Sequence, residues 1–257
     1  MECVINRLKI NYQVIGGGKP FLILHGWGSC SDKWQRVGEL LEQKGLKVII
    51  PDLPGLGKSE PPHHNKNVWC GGEEPKNAWN LDDYCDFVEE FTKALGLDKF
   101  YLLGHSFGGA VAVKFILKEP WKIEKTFLVA PAVIRKKTIK KEIIKKTAKI
   151  FSFLPVYVKK IIYRKIIKSD YPLEAGTMRE TYLKIVRENL FNALSQIQVP
   201  TVIIWGEKDK TTPLKDAYFL REKIKNSKLE VIPDVDHNLH LESPEKLAQT
   251  IIQFIKS

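Results

Sequence analysis

Phe100-Tyr101-Leu102-Leu103-Gly104-His105-Ser106-Phe107-Gly108-Gly109 is the stretch on which the reading of this chain turns. A short apolar run ends at a serine with one glycine two residues before it and another two after. Behind it, Ala110-Val111-Ala112-Val113-Lys114-Phe115-Ile116-Leu117 reads as a buried helix. Strand, one-residue corner, helix is the setting that gives G-x-S-x-G a mechanical meaning. The serine occupies a strained turn, the glycines leave room because they lack a Cβ, and the hydroxyl is held at the carboxyl edge of a sheet. The N–H of Phe107 opens the following helix, where the backbone favours negative charge. A glycine-rich turn with an incidental serine is the plain alternative, so the rest of the chain must decide.

Composition narrows the class. The 257 residues, 44% of them hydrophobic, suffice for one core with an inserted subdomain. No apolar run approaches the length of a membrane span, and the N-terminus lacks the basic-then-apolar layout of a signal peptide. Cys3, Cys30, Cys70 and Cys85 show no C-x-x-C spacing, so neither a zinc site nor a disulfide framework is indicated. The expected compartment is the cytoplasm, with no cofactor and no metal.

Working outward from the central stretch, residues 3–15 alternate as an opening hairpin, and Phe21-Leu22-Ile23-Leu24 is a fully apolar run expected of a central parallel strand. It leads into the glycine-rich loop His25-Gly26-Trp27-Gly28. A helix is expected over 33–44, a strand at 48–50, and a long loop over 60–80. That loop holds His63, His64 and Cys70, which lack ligand spacing and read as solvated. Residues 81–95 have helical periodicity ending at Gly96, and a strand follows the central helix at 125–130. Beyond Pro131 the pattern becomes three successive helices, marked by Ile139 to Leu154, Val158 to Ile166, and Met178, Tyr182 and Ile185. Strand and helix alternation resumes at 201–205 and runs through 214–224, 228–232 and 243–255. The expected architecture is α/β: a mostly parallel, doubly wound sheet formed by 1–130 and 196–257, with 131–195 inserted as an all-helical lid.

Acyl transfer by a serine needs a base to take the hydroxyl proton and an acid to orient that base. Trp205-Gly206-Glu207-Lys208-Asp209 puts two carboxylates just past one apolar strand, and Val235-Asp236-His237-Asn238-Leu239-His240 puts histidines just past the next. Nucleophile, acid and base thus appear in the order Ser, Asp, His, each beyond a strand's carboxyl end.

On these motifs the chain resembles the alpha/beta-hydrolase fold family, in its serine-nucleophile branch, over essentially its whole length. The motifs are His25-Gly26-Trp27-Gly28, Asp52-Leu53-Pro54-Gly55-Leu56-Gly57-Lys58-Ser59, Gly104-His105-Ser106-Phe107-Gly108-Gly109, Trp205-Gly206-Glu207-Lys208-Asp209, and His237 with Glu242 and Pro244. The resemblance implies Ser106 as nucleophile, His237 as general base and then acid, and Asp209 as orienting carboxylate. The backbone N–H groups of Trp27 and Phe107 would form the oxyanion hole. Glu207 and His240 are the competing acid and base, and the family spacing favours Asp209 and His237 over them. His25 reads as a structural residue behind the oxyanion loop. Asp236 stands where the family often has glycine, and either acts on the neighbouring imidazole or points to solvent. A serine nucleophile leaves chemistry at a carbonyl: hydrolysis of a carboxylic ester or thioester, with carbon–carbon bond hydrolysis of 2-hydroxy-6-oxo-dienoates as the alternative. The non-enzyme alternative is a hydrolase-fold ligand-binding protein.

The net charge of +11 is confined to one segment: residues 131–190 hold 16 Lys/Arg against 5 Asp/Glu, while the remainder holds 25 of each. A solvated face is the plain reading. The functional readings are docking of an acidic acyl-carrier protein, attraction of an anionic small-molecule acyl substrate, and peripheral contact with anionic lipid, which is not favoured. The first follows a resemblance to the pimeloyl-carrier methyl ester esterases, which share the His-Gly-Trp-Gly opening. No nucleic-acid module is recognisable. Reversing Lys136, Lys137, Lys140, Lys141, Lys145 and Lys146 to Glu separates docking from solvation. With docking, kcat on a small neutral ester stays unchanged while kcat/KM on an anionic or carrier-bound substrate falls. That loss shrinks with salt as the Debye length drops from about 10 Å at 0.1 M to about 3 Å at 1 M. Equal responses of both substrates, independent of salt, would leave the charge as composition alone.

Overall fold

The computed structural model describes residues 1–62, 78–134 and 176–256. The opening hairpin pairs β1 (Glu2–Ile5) with β2 (Leu8–Ile15). Asn6 and Arg7 between them both have positive φ, 49° and 67°, the geometry of a two-residue loop whose twist matches the strands. The parallel strands are β3 (Lys19–Leu24), β4 (Leu46–Pro51), β5 (Phe100–His105), β6 (Ile123–Val129), β7 (Thr201–Gly206) and β8 (Ser227–Ile232). Their spatial order is β1-β2-β4-β3-β5-β6-β7-β8. Only the β1–β2 and β2–β4 pairs are antiparallel.

All six residues of β5 and of β7 are buried, as are the last four of β3, because helices cover both faces of the sheet. The helices are α1 (Gln35–Glu42), α2 (Leu81–Ala94), α3 (Phe107–Lys118), α4 (Thr177–Ile185), α5 (Lys215–Lys223), α6 (Leu239–Glu242) and α7 (Pro244–Lys256). Packing of α2 on α3 and of α1 on α7 completes the layers. α2 starts with a capping box, Asn80 accepting from the N–H groups of Asp82 and Asp83 while Asp83 accepts from Asn80 N–H, and Gly96 follows its end at φ 63°.

The helix expected over 33–44 begins instead as a 3-10 turn, Ser31–Trp34, and becomes α1 only at Gln35. The tighter turn carries the fully buried Trp34. α6 was not anticipated, since four residues are too few for periodicity to register. Of the three helices expected beyond Pro131, the third is α4. The first two lie outside the described residues, as do His63, His64 and Cys70. Among the described residues no helix is long and apolar enough to cross a membrane.

This order positions a site. The chain runs from β3 outward to β4, then crosses to β5 on the other side of β3, so the direction of winding switches between β3 and β5. Doubly wound sheets bind ligands in the crevice outside such a switch point, where the loops leave the carboxyl ends of the two strands. The loops are His25-Gly26-Trp27 and the corner at Ser106.

Candidate active site

Ser106 sits at φ 52° and ψ −113°, a region that costs a non-glycine residue on the order of 1–3 kcal/mol. Its backbone is over-determined. The N–H donates to Val129 at 3.0 Å, and its carbonyl accepts from Gly109 at 3.0 Å, Ala110 at 3.2 Å and Ala132 at 2.9 Å. The glycines around it are required by contact. A Cβ on Gly104 would lie 2.5 Å from the Gly108 carbonyl oxygen, and one on Gly108 would run into the Leu24 carbonyl. α3 therefore passes over β3 and β5 at backbone distance.

Asp209 and His237 meet beyond the carboxyl ends of β7 and β8, on the β5 side of the switch point. His237 Nδ1 donates to Asp209 Oδ2 at 2.7 Å; the carboxylate is wholly buried and the imidazole side chain 12% exposed. Asp209 Oδ1 accepts the N–H groups of Thr211 and Thr212, each at 2.8 Å, and Oδ2 accepts the Thr212 hydroxyl at 2.8 Å. A buried carboxylate with every lone pair engaged is held in one orientation. The competing acid, Glu207, is exposed and accepts the N–H of Asp234 at 3.1 Å. Thr212 went unnoticed in the sequence, although a hydroxyl residue three positions after a turn aspartate is the spacing at which such side chains bond locally. Trp205, also fully buried, holds it from behind by donating Nε1–H to the Thr212 carbonyl at 2.8 Å. Asp236 accepts from the backbone N–H of His237 at 2.8 Å and of Lys210 at 3.1 Å, tying the base loop to the acid loop. The Lys210 hydrogen bond foremost holds its carboxyl below the usual range.

The oxyanion candidates adjoin. Phe107 is the first residue of α3, so its N–H has no partner within the helix. The rings of Trp27 and Phe107 pack edge to face at 5.3 Å. Behind the Trp27 loop, His25 Nδ1–H donates to Gly26 O at 2.8 Å and Nε2 accepts the N–H of Leu53 at 3.0 Å, which fixes a neutral ring. Asp52 extends the same support, accepting from Ser31 N–H at 2.5 Å, Asn11 Nδ2 at 2.8 Å and Lys58 N–H at 2.9 Å. Burial opposes its ionisation, but these hydrogen bonds outweigh burial and hold the carboxyl below its usual range. Over the loop lies α4: the Tyr182 ring is 5.3 Å from that of Trp27, and Thr181 Oγ1 accepts the N–H of Trp79 at 2.9 Å.

Four imidazoles surround the site. His240 is buried flat against Trp34, ring centroids 4.3 Å apart, and burial pushes its pKa down to about 3, helped by the charge of Lys33. Burial likewise lowers His25, and lowers His105 well below the usual histidine value. His237 alone of the four combines solvent access with a carboxylate partner.

The fold is one that known proteins share. The family described as alpha/beta hydrolase fold matches residues 19–154 and 164–244, and the chain belongs to that family. Monoacylglycerol lipase ABHD6 of Mus musculus is 27% identical over 277 aligned residues, covering 94% of this chain and 77% of the relative. The AB hydrolase superfamily protein YisY of Bacillus subtilis is 28% identical over 264 aligned residues, covering 95% and 94%. An esterase (EaEST) from Exiguobacterium antarcticum superposes with a TM-score of 0.75 at 22% identity over 100% of this chain and 99% of its own. A variant of the meta-cleavage product hydrolase CumD from Pseudomonas fluorescens does so with a TM-score of 0.72 at 20% identity, covering 100% and 97%.

The depressed imidazoles set a pH dependence of stability. In the unfolded chain each takes a proton as pH falls through about 6.5, whereas in the folded chain His240 stays neutral down to about 3. Stability is therefore intact above about 6.5 and falls on acidification, by about 1.4 kcal/mol per pH unit for each such group. Melting curves between pH 7 and pH 5 should show a shallower loss in His240→Phe than in wild type. Identical slopes would mean that His240 is not held neutral.

Proposed function

We propose that the protein is a serine hydrolase that cleaves a small carboxylic ester or thioester through an acyl-enzyme. The observation that carries this reading is the pair of His237 and Asp209, 2.7 Å apart, its carboxylate buried and saturated with donors, on the same side of the switch point as the strand that ends in a serine at a strained corner. Lipases and esterases among the relatives and structural neighbours are consistent with it.

Asp209 holds His237 as the tautomer with hydrogen on Nδ1, leaving Nε2 to accept the Ser106 proton. Oγ of Ser106 bonds to the acyl carbon, and the carbonyl electrons move onto the oxygen facing the N–H groups of Trp27 and Phe107. Collapse breaks the bond to the alkoxide or thiolate, which leaves with the proton from His237. Water then repeats the sequence, losing its proton to His237 and releasing the acid and free Ser106. The basic segment 131–190 gives anionic or carrier-bound acyl groups an electrostatic advantage, and we assign 131–195 as the lid. The free thiols of Cys3, Cys30 and Cys85 fit the reducing cytoplasm we assign as its compartment.

Ser106→Ala should lower kcat on p-nitrophenyl acyl esters by at least about 10³-fold without lowering Tm, because the lost hydroxyl is the acyl acceptor and the corner relaxes. A Ser106→Ala sample with more than a few per cent of wild-type turnover sinks the nucleophile. Asp209→Asn should cost about 10⁴-fold in kcat and Glu207→Gln less than about threefold; the reverse ranking moves the acid to Glu207. Turnover of a 2-hydroxy-6-oxo-dienoate without ester turnover would make the chain a carbon–carbon bond hydrolase. Binding without turnover of either would make it a ligand-binding protein.

A further inference from the structure

His105, the residue immediately before the candidate nucleophile, has no part in the steps above, yet three segments of the site meet on its ring. Its Nε2 lies 3.0 Å from the carbonyl oxygen of His237. A carbonyl only accepts, so His105 donates Nε2–H and the tautomer is fixed. Nδ1 faces the oxyanion loop: a Cβ on Gly26 would stand 3.0 Å from it. On its remaining sides the ring contacts Trp34 at 5.7 Å and His240 at 5.0 Å between centroids, and His105 is 2% exposed.

The other tethers of His237 run toward the acid. Its Nδ1 bonds to Asp209 and lies 3.2 Å from the Thr212 hydroxyl, and its backbone N–H bonds to Asp236, which also binds Lys210. Those bonds fix the base relative to Asp209. Among the described residues, the hydrogen bond that fixes it relative to the strand carrying Ser106 comes from His105, across 132 residues of sequence. We infer that His105 is a positioning residue: it holds the main chain of His237 against the end of β5, with Gly26 on the ring's other edge, and so sets the separation of base, nucleophile and oxyanion loop. The inference rests on the reading of Ser106 and His237 as nucleophile and base. A rigid, fully packed ring suits this task better than a flexible donor, and a neutral one adds no second positive charge beside the imidazolium that forms at His237.

The test compares His105→Leu, His105→Gln and His105→Asn on a p-nitrophenyl ester. The amide nitrogen of Gln reaches as far as ring Nε2, whereas that of Asn stops one bond short. Thr126→Val, which deletes the buried bond from Thr126 Oγ1 to the Leu102 carbonyl, serves as a stability control away from the site. Rates are expressed per folded molecule from melting curves. His105→Leu should lose about 10- to 100-fold in kcat, the effect of roughly an ångström of misplacement, with KM within about twofold. His105→Gln should recover most of that loss, and His105→Asn should behave like Leu. The control should lower Tm and leave kcat unchanged. Wild-type kcat in His105→Leu, a loss confined to KM, or equal rates for Gln and Asn would overturn the inference; should His105→Leu not fold, the Gln and Asn pair decides. Ser106→Ala in the same assay separates the two readings. If it retains turnover, the nucleophile assignment fails; if it is inactive while His105→Leu is normal, only the role of His105 fails.

Discussion

The close passage of α3 across β3 and β5 governs the rest of the site. With Gly108 on the Leu24 carbonyl and Gly104 on the Gly108 carbonyl, there is no room for a gradual turn between strand and helix. The chain must reverse at one residue, and that residue takes φ 52°. The strain is not relieved locally. It is offset by bonds from β6 and the segment after it, through Val129 and Ala132. The serine's geometry is thus a property of the sheet, and the same crossing brings the first N–H of α3 beside the loop that leaves β3.

Two buried carboxylates stabilise the halves of the crevice in the same way. Asp52 organises the side of β3 and β4 by accepting from Asn11, Ser31 and Lys58. Asp209 organises the side of β7 and β8 by accepting from Thr211, Thr212 and His237. Among the described residues neither is balanced by a buried Lys or Arg; donors from the backbone and neutral side chains do that work. The buried imidazoles of His25, His105 and His240 are kept neutral by burial and add no positive charge between the two carboxylates.

What the sequence disclosed follows from the range of each interaction. The corner, the strand ends and the order of Ser106, Asp209 and His237 are local patterns, so motif spacing identified them. The choice of Asp209 over Glu207 rested on family spacing; its physical counterpart is that Asp209 is buried while Glu207 is exposed. Asp236 left two readings open, and the structure adds a further role that neither included, bonding two backbone N–H groups from different loops. The contact of His105 with His237 joins a side chain to a main chain 132 residues away, which no periodicity encodes, whereas Thr212 bonds Asp209 at a local spacing that the motifs do not include. The start of α1 was missed because a 3-10 turn and an α-helix share their apolar spacing over so few residues.

Aromatic packing extends this logic to the Trp27 loop, the candidate oxyanion loop. The rings of Trp79, Tyr84, Phe107, Trp27 and Tyr182 touch in succession, each pair between 4.9 and 5.3 Å. Trp79 and Leu81 donate their N–H groups to Thr181 and Glu188, and Met178 lies against Gly55. α4 is therefore fastened to the start of α2 by hydrogen bonds, but it reaches Trp27 through ring contacts. That contact, Tyr182 on Trp27, is tilted at 57°, while the other three pairs are edge to face; aromatic pairs are worth about 0.5–1.5 kcal/mol beyond buried area and fix orientation less rigidly than a hydrogen bond. The corner at Ser106 and the pair of Asp209 and His237 are held by hydrogen bonds at the main chain. The Trp27 N–H is held by the packing of its own side chain and by the buried His25 and Asp52 behind it. Of the parts of the candidate site, the oxyanion loop is the one whose geometry responds most directly to what packs on α4.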